Sequence, residues 1–235
     1  MTDLREMTGS HEMTDLRDQA VVCVHGLWLS GFAMRFWQSQ FERAGYAAHA
    51  FSYPSVRGRM VHNRAELARF VAGLPQGRIH LVGHSLGAVT IVSMLDSLDW
   101  QLPGKTLGRI VLAGPPFQDS RAGRALVGGR GMRPVLGRFG DALAGNALKE
   151  WLDARRPSVP PGVELGVIAG DANIGLGRMV APDLKRPHDG TVSVEETRVA
   201  GAREHLVLPV GHTAMLISQT VARRMLCFIQ NGTFG

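Results

Sequence analysis

The stretch IHLVGHSLGAVTIVSML, Ile79–Leu95, changes character at its centre. Before Ser85 runs a mostly apolar, strand-type segment. After it comes a segment that is apolar almost all round, as in a helix packed at the middle of a fold. Ser85 sits at the junction, with Gly83 and Gly87 two positions to either side. A strand that turns directly into a helix leaves no room for side chains at those two positions, and the turn lifts the residue between them clear of the chain. The spacing predicts a turn whose purpose is to present Ser85.

Working outward, apolar runs recur at 20–24, 47–53, 79–82, 109–113, 164–169 and 206–210, and helical patterns fall near 33–44, 60–73, 86–98 and 213–230. Runs that are apolar throughout suit strands buried on both faces. Their alternation with helices predicts an α/β fold, a mostly parallel sheet of about six strands with helices on both faces. Pro209 places the last run at a strand end or a sheet edge. Ligands on such sheets bind at the carboxyl ends of the strands, where Ser85 falls. The rhythm breaks from about 117 to 160, a glycine-rich segment with no strand pattern and a helical piece around 140–154. A segment of this length between core elements reads as a short cap insertion over a site. The domain is expected over 19–235. Residues 1–18, polar and carrying MTDLR twice (Met1–Arg5 and Met13–Arg17), are expected to form a disordered leader.

The 235 residues carry a net charge of +6. Residues 117–160 hold eight Lys/Arg against four Asp/Glu, with Arg121, Arg124, Arg130, Arg133 and Arg138 prominent. No aromatic residues are interleaved with these arginines, which argues against a nucleic-acid partner. A solvated face is the plain reading of such a run, and contact with an anionic membrane surface is the alternative. Cys23 and Cys227 each lie in an apolar stretch, so two buried thiols are expected rather than a disulfide or a metal site. With no apolar run of membrane-spanning length and no signal-type segment, the expected address is the cytoplasm.

A serine presented in this way needs a base, and the base needs an orienting carboxylate. Of nine histidines, only His205 and His212 lie beyond residue 190. His212, in LPVGHTAML, follows the last strand run and should emerge at the carboxyl edge, whereas His205 precedes that run and should lie at the other end. Asp189, in PHDGTVSVEET, is the first candidate for the acid, with Asp171 and Asp119 as alternatives; Glu195 and Glu196 lie further into the next segment. Two backbone donors are needed for a developing oxyanion. Leu86 N–H is one, and the N–H of Leu27 or Trp28 is the other, Leu27 being preferred. His25 is expected to order that loop and His84 to pack at the turn. Trp28, Phe32 and Phe36 are either lining for an acyl pocket or core.

VHGLW, GHSLGA, DGTV and GHTAML, in this order and on this strand pattern, resemble the α/β-hydrolase superfamily, in particular its small bacterial lipase/esterase branch, from Ala20 to Phe234. The resemblance implies Ser85 as nucleophile, Asp189 as acid, His212 as base, an oxyanion hole at Leu27 and Leu86, and no cofactor or metal. As a departure from larger members, too little chain precedes the first run for two extra N-terminal strands, so a minimal sheet of about six strands is expected. The expected activity is hydrolysis of a small-molecule carboxylic ester through an acyl-enzyme, with thioesters or amides as variants. A hydrolase-fold protein that binds a ligand with little or no turnover is the rival expectation. The arginine- and glycine-rich insertion matches no substrate signature.

Overall fold

The computed structural model describes residues 16–97, 103–128, 133–174, 181 and 183–235, and only the backbone at 128 and 133–141. Six strands, β1 (Gln19–Val24), β2 (Ala47–Phe51), β3 (Arg78–His84), β4 (Thr106–Ala113), β5 (Leu165–Gly170) and β6 (Glu204–Leu208), form one sheet ordered β2-β1-β3-β4-β5-β6. Every pairing is parallel. The helices are α1 (Arg35–Arg43), α2 (Met60–Ala72), α3 (Leu86–Leu95), α4 (Arg121–Gly128), α5 (Arg133–Asp153) and α6 (Gln219–Asn231). This is the six-stranded α/β sheet that the sequence predicts.

The uninterrupted apolar character of the strand runs has a direct cause. Successive side chains point to opposite faces, and both faces are covered. Along β1, Ala20, Val22 and Val24 join one core with residues of α2, α3 and α5, while Val21 and Cys23 join a second core with Trp37 and Phe41 of α1 and Met225 and Phe228 of α6. Strand order reverses at β1, whose chain neighbour β2 lies on one side and β3 on the other. A crevice opens at the carboxyl ends of strands beside such a reversal. The residues after β1 and β3, His25–Leu27 and Ser85, border it.

Several boundaries differ from the sequence reading. β2 stops at Phe51 because the Tyr53 N–H leaves the sheet and donates to His25 Nε2 at 3.2 Å. The helix expected over 213–230 is divided. Thr213–Ile217 form a 3-10 turn, and the extended Ser218 caps α6, its hydroxyl accepting from Val221 N–H at 3.3 Å. Pro209 lies just beyond β6, which is an edge strand. Between β4 and β5 run α4 and α5, and the helical piece expected at 140–154 falls within α5. Arg121 pairs with Asp183 at 3.0 Å and Arg124 with Asp119 at 2.6 Å, while the side chains of Arg130, Arg133 and Arg138 lie outside the described residues. Most of the expected leader, 1–15, and residue 98 of the expected central helix also lie outside them. Leu16–Asp18 form a 3-10 turn, with Leu16 packed against the second core. Both cysteines are free thiols; Cys23 is buried as expected, whereas Cys227 is only partly buried. Among the described residues no helix is long and apolar enough to cross a membrane, and no His/Cys/Asp/Glu cluster is arranged to hold a metal.

Phe228 anchors α6, fully buried against Phe234 at a ring separation of 4.8 Å. Replacing it with alanine should cost about 3–5 kcal/mol and lower the thermal midpoint on the order of 10 °C. An unchanged midpoint in a calorimetric scan would contradict this packing.

Candidate active site

β3 ends at His84, and Ser85 adopts φ +53°, ψ −119° before α3 begins at Leu86. A left-handed φ is costly for a residue with a Cβ. The turn is pinned by the Ser85 N–H, which donates to the Ala113 carbonyl at 2.9 Å. The flanking glycines have a steric origin. A Cβ on Gly83 would stand 2.7 Å from Ala88 Cα, and one on Gly87 would stand 2.3 Å from the Val24 carbonyl oxygen. Nothing in those backbones can yield to a methyl group.

The loop after β5 carries Asp189 into the same region. Its Oδ1 accepts from the N–H groups of Thr191 (2.9 Å) and Val192 (2.7 Å), which fixes the carboxylate plane. Its Oδ2 lies 2.6 Å from His212 Nδ1, and the His212 N–H donates to the Asp189 carbonyl at 2.9 Å. Asp189 is fully buried and His212 nearly so. Gly114 lets the pair sit close to β4, since a Cβ there would lie 3.0 Å from the imidazole. Of the alternatives, Asp119 is engaged by Arg124. Asp171 lies at the end of β5, its N–H donating to Leu208. His205 lies inside β6, with Nε2 2.8 Å from Thr197 Oγ1.

Two further histidines support the site. His25 donates from Nδ1 to the Gly26 carbonyl at 2.8 Å, and stacks on Tyr53 at 4.4 Å, whose hydroxyl donates to the His25 carbonyl at 2.9 Å. These bonds fold the backbone at Gly26, just before Leu27. His84 lies beneath His212, ring centroids 4.7 Å apart, and its Nε2 donates to the His212 carbonyl at 3.0 Å. Burial, reinforced by proximity to His212, holds the His84 pKa down at about 3. It stays neutral, so a positive charge forming on His212 meets no like charge from below.

A cavity of about 240 Å³ opens over these groups. Ser85, His212, Leu27 and Leu86 line it, together with Trp28 and with Leu126 and Leu148 from α4 and α5. Among the described residues no Asp, Glu, Lys or Arg side chain lines it. Phe32 stands apart, 74% exposed on the turn before α1 beneath the Arg35 guanidinium, and Phe36 packs against the second core. Glu196, further along the segment than Asp189, has a structural part. Its carboxylate accepts from Ser193 N–H and Oγ and from Arg121 N–H, at 2.7, 2.9 and 2.6 Å, tying the loop after Asp189 to the start of α4. The signal was present as Ser193-x-x-Glu196, the spacing of a capping box.

A model of the alpha/beta hydrolase family matches residues 21–224. The chain belongs to the alpha/beta hydrolase family. No curated protein sequence matches it. Among solved structures it is similar to the mature form of a Bacillus licheniformis lipase (19% identity, TM-score 0.68, 91% of each chain covered). It is also similar to a metagenomic carboxyl esterase (19%, TM-score 0.60, 83% of this chain and 65% of that one). A third is a thioesterase of the prodiginine pathway of Streptomyces coelicolor (16%, TM-score 0.56, 92% and 85%). At these identities the likeness is one of fold. The hydrolase fold accommodates the glycine-flanked turn at Ser85 and the loop carrying Asp189 on the same sheet edge.

Desolvation depresses the pKa of His84 to about 3 and of His80 to about 4, and lowers those of His25 and His205. Unfolded, each binds a proton near its ordinary value of about 6.5. The unfolded chain therefore holds more protons below that pH, and folding stability falls as pH drops, by up to ~1.4 kcal/mol per pH unit for a single group. Glu196, whose pKa burial raises, acts in the opposite sense above its ordinary value but is one group against four. The urea midpoint should be lower at pH 5 than at pH 7.5; an equal or higher midpoint at pH 5 would refute the neutral assignment of these rings.

Proposed function

We propose that this member of the family is a serine hydrolase of carboxylic esters. The observation that carries the reading is the 2.6 Å contact between Asp189 Oδ2 and His212 Nδ1 beside the strained Ser85, on one apolar cavity. In the proposed reaction Ser85 Oγ attacks the acyl carbonyl carbon as its proton passes to His212 Nε2. Asp189 holds the Nδ1–H tautomer and stabilises the imidazolium. The carbonyl oxygen becomes an oxyanion and is received by the N–H groups of Leu27 and Leu86. The C–O bond to the leaving alcohol then breaks, and His212 returns the proton to that alcohol. Water, deprotonated by the same base, attacks the acyl-enzyme and releases the acid and free Ser85.

The cavity's apolar lining favours an uncharged substrate with a hydrocarbon acyl group, because an unpaired ion there would lose hydration without a partner. Similarity to the lipase and the carboxyl esterase supports the ester reading, and the thioesterase neighbour makes a thioester the natural variant to try. The small-molecule ester is the proposed partner, and no cofactor takes part in these steps.

Hydrolysis of p-nitrophenyl esters of graded acyl length tests the proposal. Ser85→Ala and His212→Ala should each lose at least about 10³-fold in kcat, and Asp189→Asn on the order of 10⁴-fold through loss of the tautomer. A wild type inert on esters and thioesters alike, yet retaining ligand affinity, would replace this reading with that of a binding protein.

A further inference from the structure

α5 is not a continuous helix. Gly145, within its 21 residues, has φ +73°, a left-handed conformation inside a right-handed helix. The backbone groups around the break are taken up by two neighbouring loops. Asn146 N–H donates to the Val56 carbonyl at 3.0 Å and Asn146 Nδ2 to the Arg57 carbonyl at 2.9 Å, both in the loop after β2. The Leu143 carbonyl, two residues before the break, accepts from the Trp28 indole Nε1–H at 2.7 Å, and Trp28 belongs to the loop after β1. A Cβ at position 145 would lie 2.6 Å from the Val56 carbonyl oxygen, so the close approach and the left-handed φ both require glycine.

Trp28 is itself strained, with φ +63°. It directly follows Leu27, and it is 56% exposed, so packing alone does not hold its ring. A non-glycine residue keeps such a backbone only where its surroundings over-determine it. Here the constraints on the loop are the His25–Gly26 hydrogen bond on one side and the indole bond to α5 on the other. The Trp28–Leu143 hydrogen bond thus joins the two walls of the cavity, the 26–29 loop and the α4–α5 segment.

We infer that Trp28 is a positioning residue: through its bond to Leu143 at the break in α5, it holds the Leu27 N–H in line with the oxyanion. The inference rests on the proposed role of Leu27, and it assigns to the α5 break the task of fixing the geometry of the site. The acting group is the indole N–H, not the ring's area.

Trp28→Phe removes the N–H and keeps the ring, at an exposed position where folding is not at risk. For a short ester, kcat should fall roughly 3- to 10-fold, the loss of about one hydrogen bond's worth of alignment, while KM and the thermal midpoint stay put. Gly145→Ala, which displaces the acceptor, should reproduce the fall, and the double variant should be no worse than either single one, because both act through one bond. If Gly145→Ala does not fold, the kcat–KM split of Trp28→Phe decides alone. Wild-type kcat in Trp28→Phe overturns the inference, as does a loss confined to KM, which would make Trp28 mere pocket wall. A Ser85→Ala control separates the two levels. If it is inactive while Trp28→Phe is unimpaired, the hydrolase reading stands and the bridge falls. An inert wild type overturns both.

Discussion

The structure depends on the turn at Ser85. A parallel sheet ordinarily connects strand to helix through a loop of several residues, but here β3 passes into α3 through a single left-handed residue. That economy sets the positions of its neighbours. Gly83 must be bare because α3 crosses it, and Gly87 must be bare because the end of β1 crosses it. The first turn of α3 is thereby held against the carboxyl end of β1, so the loop beginning at His25 has to leave the sheet beside Ser85. The reversal of strand order at β1 leaves that corner open. One strained residue therefore determines where the crevice lies.

Around this turn the buried polar groups form a graded set. Asp189 spends one carboxylate oxygen on two backbone N–H groups and the other on His212, so its negative charge is solvated by the protein. His25 and His84 are neutral donors to backbone carbonyls, one shaping the loop before Leu27 and the other seated under His212. Each ring's bond specifies its tautomer, because a carbonyl only accepts. A charged His84 would oppose any charge on His212 less than 5 Å away between ring centres, and burial prevents it. The neutral histidines are as much a part of the electrostatics as the Asp189 carboxylate.

Much of the architecture was legible in the sequence, since the apolar runs report strands covered on both sides and the G-x-S-x-G spacing reports a steric requirement. The order of the strands was not legible in the runs, because which strands pair is decided by contacts between distant segments. At the site, the positions of Asp189 and His212 after the fifth and sixth strand runs were readable because loops at the carboxyl edge follow strand ends. What escaped the sequence was long-range or local in the wrong register. Gly145-Asn146 lies within a good helical pattern, and only its partner Val56, far away in the chain, makes a break there necessary. Phe32 reads as a pocket aromatic by proximity to the loop, but the 3-10 turn at Gly31–Met34 rotates it to solvent. Ser218 divides the last helix because a serine hydroxyl competes for the backbone N–H groups that a helix would otherwise leave unsatisfied.

In the proposed reading, Ser85 is held as an activated nucleophile by the His212–Asp189 pair. The most direct measurement is the site and rate of covalent modification by a fluorophosphonate, read by intact mass and peptide mapping. One adduct per chain is expected, on the peptide containing Ser85, formed orders of magnitude more slowly when His212 is alanine. Absence of an adduct, an adduct elsewhere, or labelling indifferent to His212 would contradict it.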